Sequence, residues 1–169
     1  MFIRQALPAD WKILAALGTA TFVQTYAAFN QKENVEHYLR QAFNEDQLTR
    51  ELNSPTEPYF IAFEQDIPIG YFKLNDAPPS IEVPAGHWIE IQRIYLLQGF
   101  QGKGLGNELI QFAETQGLEM GKTHIWLGVW EKNPRAIRFY ERNGYKRTGM
   151  HTFWVGNDEQ FDHIMTKKL

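Results

Sequence analysis

The stretch Phe100-Gln101-Gly102-Lys103-Gly104-Leu105-Gly106 sets three glycines at alternate positions between an apolar run and an amphipathic one. Glycine has no Cβ, so backbone amides there can crowd toward a ligand. The start of a helix adds unpaired N–H groups and a partial positive charge. The stretch therefore reads either as a tight turn before a helix or as a cradle for phosphate or pyrophosphate. Two familiar phosphate motifs miss the spacing. A P-loop ends in Gly-Lys followed by a Ser or Thr that binds magnesium, whereas here Gly104 follows Lys103. A dinucleotide fold places G-x-G-x-x-G after a first strand, whereas these glycines alternate and lie past mid-chain.

Working outward, Trp88 to Leu96 reads as the longest strand, leading into the turn. Leu105, Leu109, Phe112 and Ala113 follow the helical period, to an end near Gly121. Ile125 to Val129 is a further strand. Pro134 to Arg142 is a helix stopped by Asn143-Gly144. Two strands, near Lys146 to Val155 and Phe161 to Met165, finish the chain. Upstream, Tyr59 to Phe63 and Ile69 to Leu74 form a hairpin turning at Glu64 to Pro68, and Pro78-Pro79 marks a loop. Before the hairpin, Phe2 to Gln5 is a short strand. Pro8-Ala9-Asp10 opens a helix, with Asp10 at its positive end. Its buried face is Trp11, Leu14, Leu17, Gly18 and Phe22. Two shorter helices between Asn30 and Asn53 place Val35, Tyr38, Leu39, Phe43, Leu48 and Leu52 inward. This order predicts one α/β domain over residues 1–169 with a mixed sheet.

Composition narrows the function. The 169 residues are 43% hydrophobic, 14% aromatic and 22% charged, an ordinary globular balance. The net charge of −3 argues against a general nucleic-acid binder. With no cysteine, thiolate nucleophiles, disulfides and Cys-based metal sites are excluded. No apolar run approaches the roughly 20 residues needed to span a bilayer, and the N-terminus lacks the pattern of a signal peptide. The expected location is cytoplasmic. His37, His87, His124, His151 and His163 show no metal spacing, so no metal is expected.

The stretch Gln101 to Gly106 resembles the acetyl-CoA signature of the GNAT N-acetyltransferases, (Arg/Gln)-x-x-Gly-x-(Gly/Ala). Asn133-Pro134-Arg135-Ala136-Ile137-Arg138-Phe139-Tyr140, ending in Gly144-Tyr145, is similar to that family's second block. The resemblance also takes in Ile3 to Asp10, the hairpin and the strand Glu90 to Leu96, and so nearly the whole chain. Gln98 departs from it, since the family often has Pro there. More narrowly, Thr25-Tyr26, Asn30, Glu33 to Val35, Tyr38-Leu39, Phe43 and the tail His151 to Met165 look like bacterial spermidine/spermine N-acetyltransferases.

The resemblance implies the GNAT fold, α/β with a mixed, mostly antiparallel central sheet and flanking helices, acetyl-CoA as co-substrate, and a small-molecule amine, favourably a polyamine, as acceptor. Amino acids, aminoglycosides and peptides remain open, as does a non-catalytic acyl-CoA-binding module. Neither nucleic acid nor membrane is an expected partner, and the chain is a monomer or a homodimer. The Phe153-Trp154 pair belongs to a dimer interface or to the core.

The resemblance also assigns roles. Ile94, Tyr95 and Leu96 would contact acetyl and pantetheine, with the Ile94 amide facing the thioester oxygen. Gln101, Gly102, Lys103, Gly104, Leu105 and Gly106 would hold the pyrophosphate. Asn133 either binds pantetheine or caps its own helix. Arg135, with Lys103 and Arg138, would face the CoA phosphates. An alkylammonium has a pKa of about 10.4, so a general base or a desolvated site must remove its proton, and Glu90 is the candidate base, acting through water. Strand alternation puts Glu90 on one face with Gln92. Tyr140 is the candidate acid, or the group that holds the departing sulfur. Residues 101–150 carry eight basic and five acidic side chains, residues 30–66 three and eight. The acidic half can attract a polycation.

Overall fold

The computed structural model describes residues 1–77, 81, 87–155 and 158–169. Pro78-Pro79 and Gly156 lie outside them. The strands are β1 (Phe2–Gln5), β2 (Tyr59–Glu64), β3 (Ile67–Asn75), β4 (Trp88–Leu96), β5 (His124–Trp130), β6 (Lys146–Val155) and β7 (Asp158–Lys168). The helices are α1 (Trp11–Tyr26), α2 (Lys32–Ala42), α3 (Glu45–Leu52), α4 (Leu105–Glu119) and α5 (Pro134–Arg142). The strands make one sheet in the order β1-β2-β3-β4-β5-β7-β6. Among the described residues only β4 and β5 pair in parallel; the other neighbours are antiparallel. This is the mixed, mostly antiparallel sheet expected.

Strand alternation sends side chains to two layers. Phe60, Phe72, Ile89, Ile125 and Leu127 pack with Leu109 and Ile110 of α4 and Ile137 of α5. Tyr59, Ile61 and Tyr71 point the other way, against Leu14, Leu17 and Phe22 of α1, Val35 of α2 and Leu48 of α3. Each such side chain contributes roughly 1.5–3 kcal/mol on burial. These contacts, more than helix propensity, hold helices of this length on the sheet.

A charged network lies inside the second layer. Lys73 is 1% exposed; its Nζ is 3.0 Å from Glu51 Oε1 and 2.6 Å from Glu57 Oε1. Arg93 Nη1 donates to the Tyr59 hydroxyl at 2.6 Å and lies 3.6 Å from Glu51 Oε2. The Tyr59 hydroxyl in turn donates to Glu51. Burial works to raise the Glu51 pKa, yet Arg93, Tyr59 and Lys73 hold it below the usual carboxylate range.

Several local expectations change. The hairpin turn is shorter than five residues, because Ile67 and Pro68 already belong to β3. Pro68 lacks an N–H and sits at the irregularity between Ala62 and Phe63, where the ladder tolerates it. The final strand runs from Asp158 to Lys168 and, at eleven residues, exceeds the nine of β4. Asp10 stands at the N-cap of α1, at its positive end as expected, but its carboxylate takes two guanidinium N–H groups of Arg4, at 2.7 and 2.8 Å, and the Leu7 amide rather than an amide of α1. Trp154 is 56% exposed, which removes it from the core.

One irregularity reorients the central strand. Lys73 faces Arg93 and Leu74 faces Ile91, so Gln92 is the extra residue of a bulge. Ile89 and Ile91 belong to the α4 layer before it, Ile94 and Leu96 after it. Glu90 therefore shares the α1 face with Arg93 and Tyr95 rather than simply with Gln92. A bulge shifts parity by one residue, which alternation cannot foresee.

Candidate active site

Pairing between β4 and β5 lasts only from Trp88–Glu90 against His124–Trp126. Beyond it the strands part, and a cavity of about 560 Å³ fills the gap. That volume suits a small-molecule site. Its walls are Ile91 to Leu96 of β4, Leu127 to Trp130 of β5, the end of α1, the glycine turn and α5.

On the β4 wall the main chain itself faces the gap. The Leu97 amide donates to Ile69 on β3 at 2.9 Å. By alternation Tyr95 and Arg93 also turn their peptide groups to β3, while Ile94 and Leu96 turn theirs away from it. The Leu96 carbonyl is indeed taken by Gln101 Nε2, at 2.9 Å. Gln101 thus anchors the turn to the strand. Ile94 keeps an amide aimed at the gap, and the Tyr95 ring reaches the α1 side, where its hydroxyl meets that of Tyr26 at 3.3 Å.

In the turn, Gly102 and Gly104 have φ of +79° and +85°, and a Cβ on either would meet no atom within 4 Å. The protein does not fill that space, and α4 begins immediately after it. Such a cradle fits a diphosphate. Gly106 differs, because its Cβ would lie 3.3 Å from the Phe139 ring; its role is close packing of α4 on α5. We expect Gly104→Val to raise the acetyl-CoA dissociation constant at least tenfold, about 1.4 kcal/mol, since a β-branched residue at that φ costs on the order of 1–3 kcal/mol. Calorimetric titration of the folded variant measures it; an unchanged constant removes the turn from the binding site.

Across the gap, Asn133 caps α5, its Oδ1 accepting the Ala136 amide at 3.1 Å, and still lines the cavity. Capping and ligand contact are compatible here. Tyr140 is 8% exposed and also lines it. Its hydroxyl has no hydrogen-bond partner among the described residues, and burial pushes its pKa up, with Asp162 adding to the rise. Tyr26, Phe29 and Trp130 form an aromatic wall, with ring centroids 5.7 Å (Tyr26–Trp130) and 5.2 Å (Phe29–Trp130) apart. Burial raises Tyr26 to about 12.

The predicted residues divide. Ile94, Tyr95, Leu96, Gln101, Gly102, Gly104, Gly106, Asn133, Arg135 and Tyr140 surround the cavity. Lys103 is turned over the Phe100 ring, 5.2 Å from its centroid, and is not among the lining residues. Leu105 is buried in the α4 core. Arg138 is not among the lining residues, whereas Lys132, just before α5, and Arg142, its last residue, line the cavity and were not foreseen. Glu90 stands just below it, holding Asn75 Nδ2 at 2.9 Å. Burial raises its pKa, against Asn75, Lys73 and His151. Among the described residues no three His, Asp or Glu gather to hold a metal ion, and no helix is long and apolar enough to cross a membrane.

A sheet parted at its centre, with main-chain groups on one lip and a glycine turn before α4 at its mouth, is a frame with room for a phosphate-bearing carrier. The chain belongs to the acetyltransferase (GNAT) family, whose model matches residues 22–145. It is 36% identical over 168 residues, 99% of this chain and 96% of the relative, to an uncharacterised N-acetyltransferase in the pepI 3′ region of Lactobacillus delbrueckii subsp. lactis. With the spermine/spermidine N(1)-acetyltransferase of Bacillus subtilis it shares 28% over 114 residues, 67% and 70% of the two chains. PaiA N-acetyltransferase from Thermoplasma acidophilum, solved in complex with coenzyme A, has the same fold, with a TM-score of 0.81 at 24% identity over 99% and 98% of the chains.

Proposed function

We propose that this acetyl-CoA-dependent N-acetyltransferase acetylates a primary amine of a polyamine, spermidine or spermine, by direct attack on the thioester. The observation that carries the acceptor's charge is a pair of half-buried carboxylates that no ion pair within 4 Å neutralises. Asp10, Glu51, Glu57, Asp76 and Glu114 each have an ionic partner. Glu90 and Asp162, both on the α1 face beside the cavity, have none among the described residues. A buried charge without a partner is costly, and an ammonium supplies one. The Bacillus relative supports the same class.

Acetyl-CoA brings an activated acyl carbon and a thiol leaving group. The Gly102–Gly104 cradle, with Lys132, Arg135 and Arg142 nearby, holds its phosphates. The Ile94 amide donates to the thioester oxygen as charge grows there, an interaction worth on the order of 3 kcal/mol. The Tyr140 hydroxyl donates to the departing sulfur. Glu90 draws the ammonium's proton; standing off the cavity, it acts through an intervening group.

A thiol-release assay on spermidine, spermine, putrescine, lysine and peptides tests the acceptor. Acetyl-CoA binding with no turnover on any amine would instead mark a binding module. Charge steering has its own test. Of the acidic residues between 30 and 66, Glu51 and Glu57 are tied to Lys73, and Glu36 to Lys32 and Arg40. The remaining field is screened within about 8 Å near physiological salt. We expect kcat/KM on spermidine to fall with added salt, and to fall less on a small monoamine. Equal salt dependence removes the electrostatic part of the argument.

A further inference from the structure

Two side chains of the C-terminal hairpin converge on one glycine of the cavity wall. His151 of β6 and Asp162 of β7 stand opposite each other, and Asp162 is also opposite Trp130 of β5. The position that a Cβ on Gly128 would take is 2.9 Å from Asp162 Oδ2 and 3.0 Å from His151 Nε2. Gly128 has no left-handed φ to explain it. Its missing side chain is what leaves room for the pair, and it lines the cavity.

The imidazole is oriented. His151 Nδ1 lies 3.0 Å from the Thr152 carbonyl oxygen. A carbonyl only accepts, so the neutral ring carries its proton on Nδ1 and presents the Nε2 lone pair over Gly128. The ring meets Trp126 edge-on at 6.5 Å. Around it stand Asp162 on β7 and Glu90 on β4, with Lys73 of β3 acting on Glu90. The charge of Asp162 is felt by Tyr26 of α1 and Tyr140 of α5, both of which line the cavity.

We propose that His151 Nε2, with Asp162 beside it, takes the proton from the acceptor's ammonium, and that Glu90 acts through this pair. The proposal rests on the cavity receiving a cationic amine. The N–H bond of R–NH3⁺ breaks, its electron pair stays on nitrogen, and the proton bonds to Nε2. Asp162, which meets Nε2 over Gly128, and Glu90 are the carboxylates that face the imidazolium. The freed lone pair forms the C–N bond as the C–S bond breaks. The second amine proton ends on the thiolate through the Tyr140 hydroxyl, and the imidazolium returns its proton to solvent.

The test uses the whole chain with acetyl-CoA and spermidine. His151→Ala should lower kcat by about a hundredfold, leave acetyl-CoA affinity unchanged, and regain at least a tenfold rate on addition of free imidazole. His151→Asn keeps a donor for the Thr152 carbonyl, so it preserves the fold if alanine does not, and should lose the same rate. Asp162→Asn should lose rate without imidazole rescue. A folded His151 variant within twofold of wild type, or a folded His151→Ala that imidazole does not revive, overturns the proposal while the polyamine reading stands. A wild-type enzyme that ignores every amine overturns that reading instead.

Discussion

Tyr140→Phe should lower the single-turnover rate on a saturating amine by about a hundredfold or more, the scale of a lost proton-transfer group. The substitution keeps the ring among Phe139 and Tyr145 and deletes only a hydroxyl that no described residue uses. Stability should therefore hold, and acetyl-CoA affinity should change little, because a thioester sulfur is a poor acceptor. A rate loss with unchanged binding marks an interaction made mainly in the transition state. Burial raises the Tyr140 pKa, so the phenol keeps its proton until charge appears on sulfur. The same dry setting raises the proton affinity of the thiolate, which offsets the rise on the phenol. Single-turnover measurement avoids masking by slow product release. A variant within twofold of wild type removes Tyr140 from the chemistry and leaves water as the acid.

Glu51→Ala should destabilise the fold by about 3 kcal/mol or more, the cost of breaking a buried ion pair by removing one partner. Lys73 would retain Glu57 and Arg93 the Tyr59 hydroxyl, which places the loss toward the lower end of that scale. A urea midpoint shift with unchanged slope measures it. The pH dependence has a definite sign. The folded pKa of Glu51 is depressed, so its stabilisation is present above the unfolded value of about 4.3. It is lost as pH falls through the lower folded value. The alanine variant should lack that part of the acid limb. An unfolding free energy within 0.5 kcal/mol of wild type, roughly the noise of a surface change, would show the network to be dispensable.

Element order was legible because local signals agree with the fold: the glycines at 102 and 104, Asn133-Pro134 at a helix start, and the period of Leu14, Leu17 and Phe22. What escaped is set by long-range geometry. The Gln92 bulge depends on β3 opposite, and it moves Glu90 onto the face of Arg93. The join of Lys73 to Glu51 links residues 22 positions apart across a helix–sheet interface, and no local pattern announces it. Lys103 looked like a phosphate ligand by its place among the glycines, but its ammonium rests on Phe100. Lys132 and Arg142 flank the helix that carries Tyr140, and a basic residue at each end of that helix is the signal that was available. His151 was dismissed with the other histidines for lacking metal spacing, and its nearness to Asp162 exists only once β6 and β7 pair.

The parted strands of β4 and β5 divide the site by the kind of atom each half uses. The donor side rests on peptide groups and on glycines that bear no side chain: Ile94, Leu96, Gly102, Gly104. A substitution at Gly102 or Gly104 strains the backbone, and one at Ile94 or Leu96 leaves the peptide groups in place, so that half resists gradual change. The opposite wall is made of side-chain tips, such as Gln24, Thr25 and Tyr26 of α1 and Trp130 of β5, which can be exchanged without moving the main chain. One half behaves as a fixed socket and the other as an exchangeable fitting. Under the proposed function, single substitutions on the fitting would change the amine accepted and leave the socket of the acetyl donor intact.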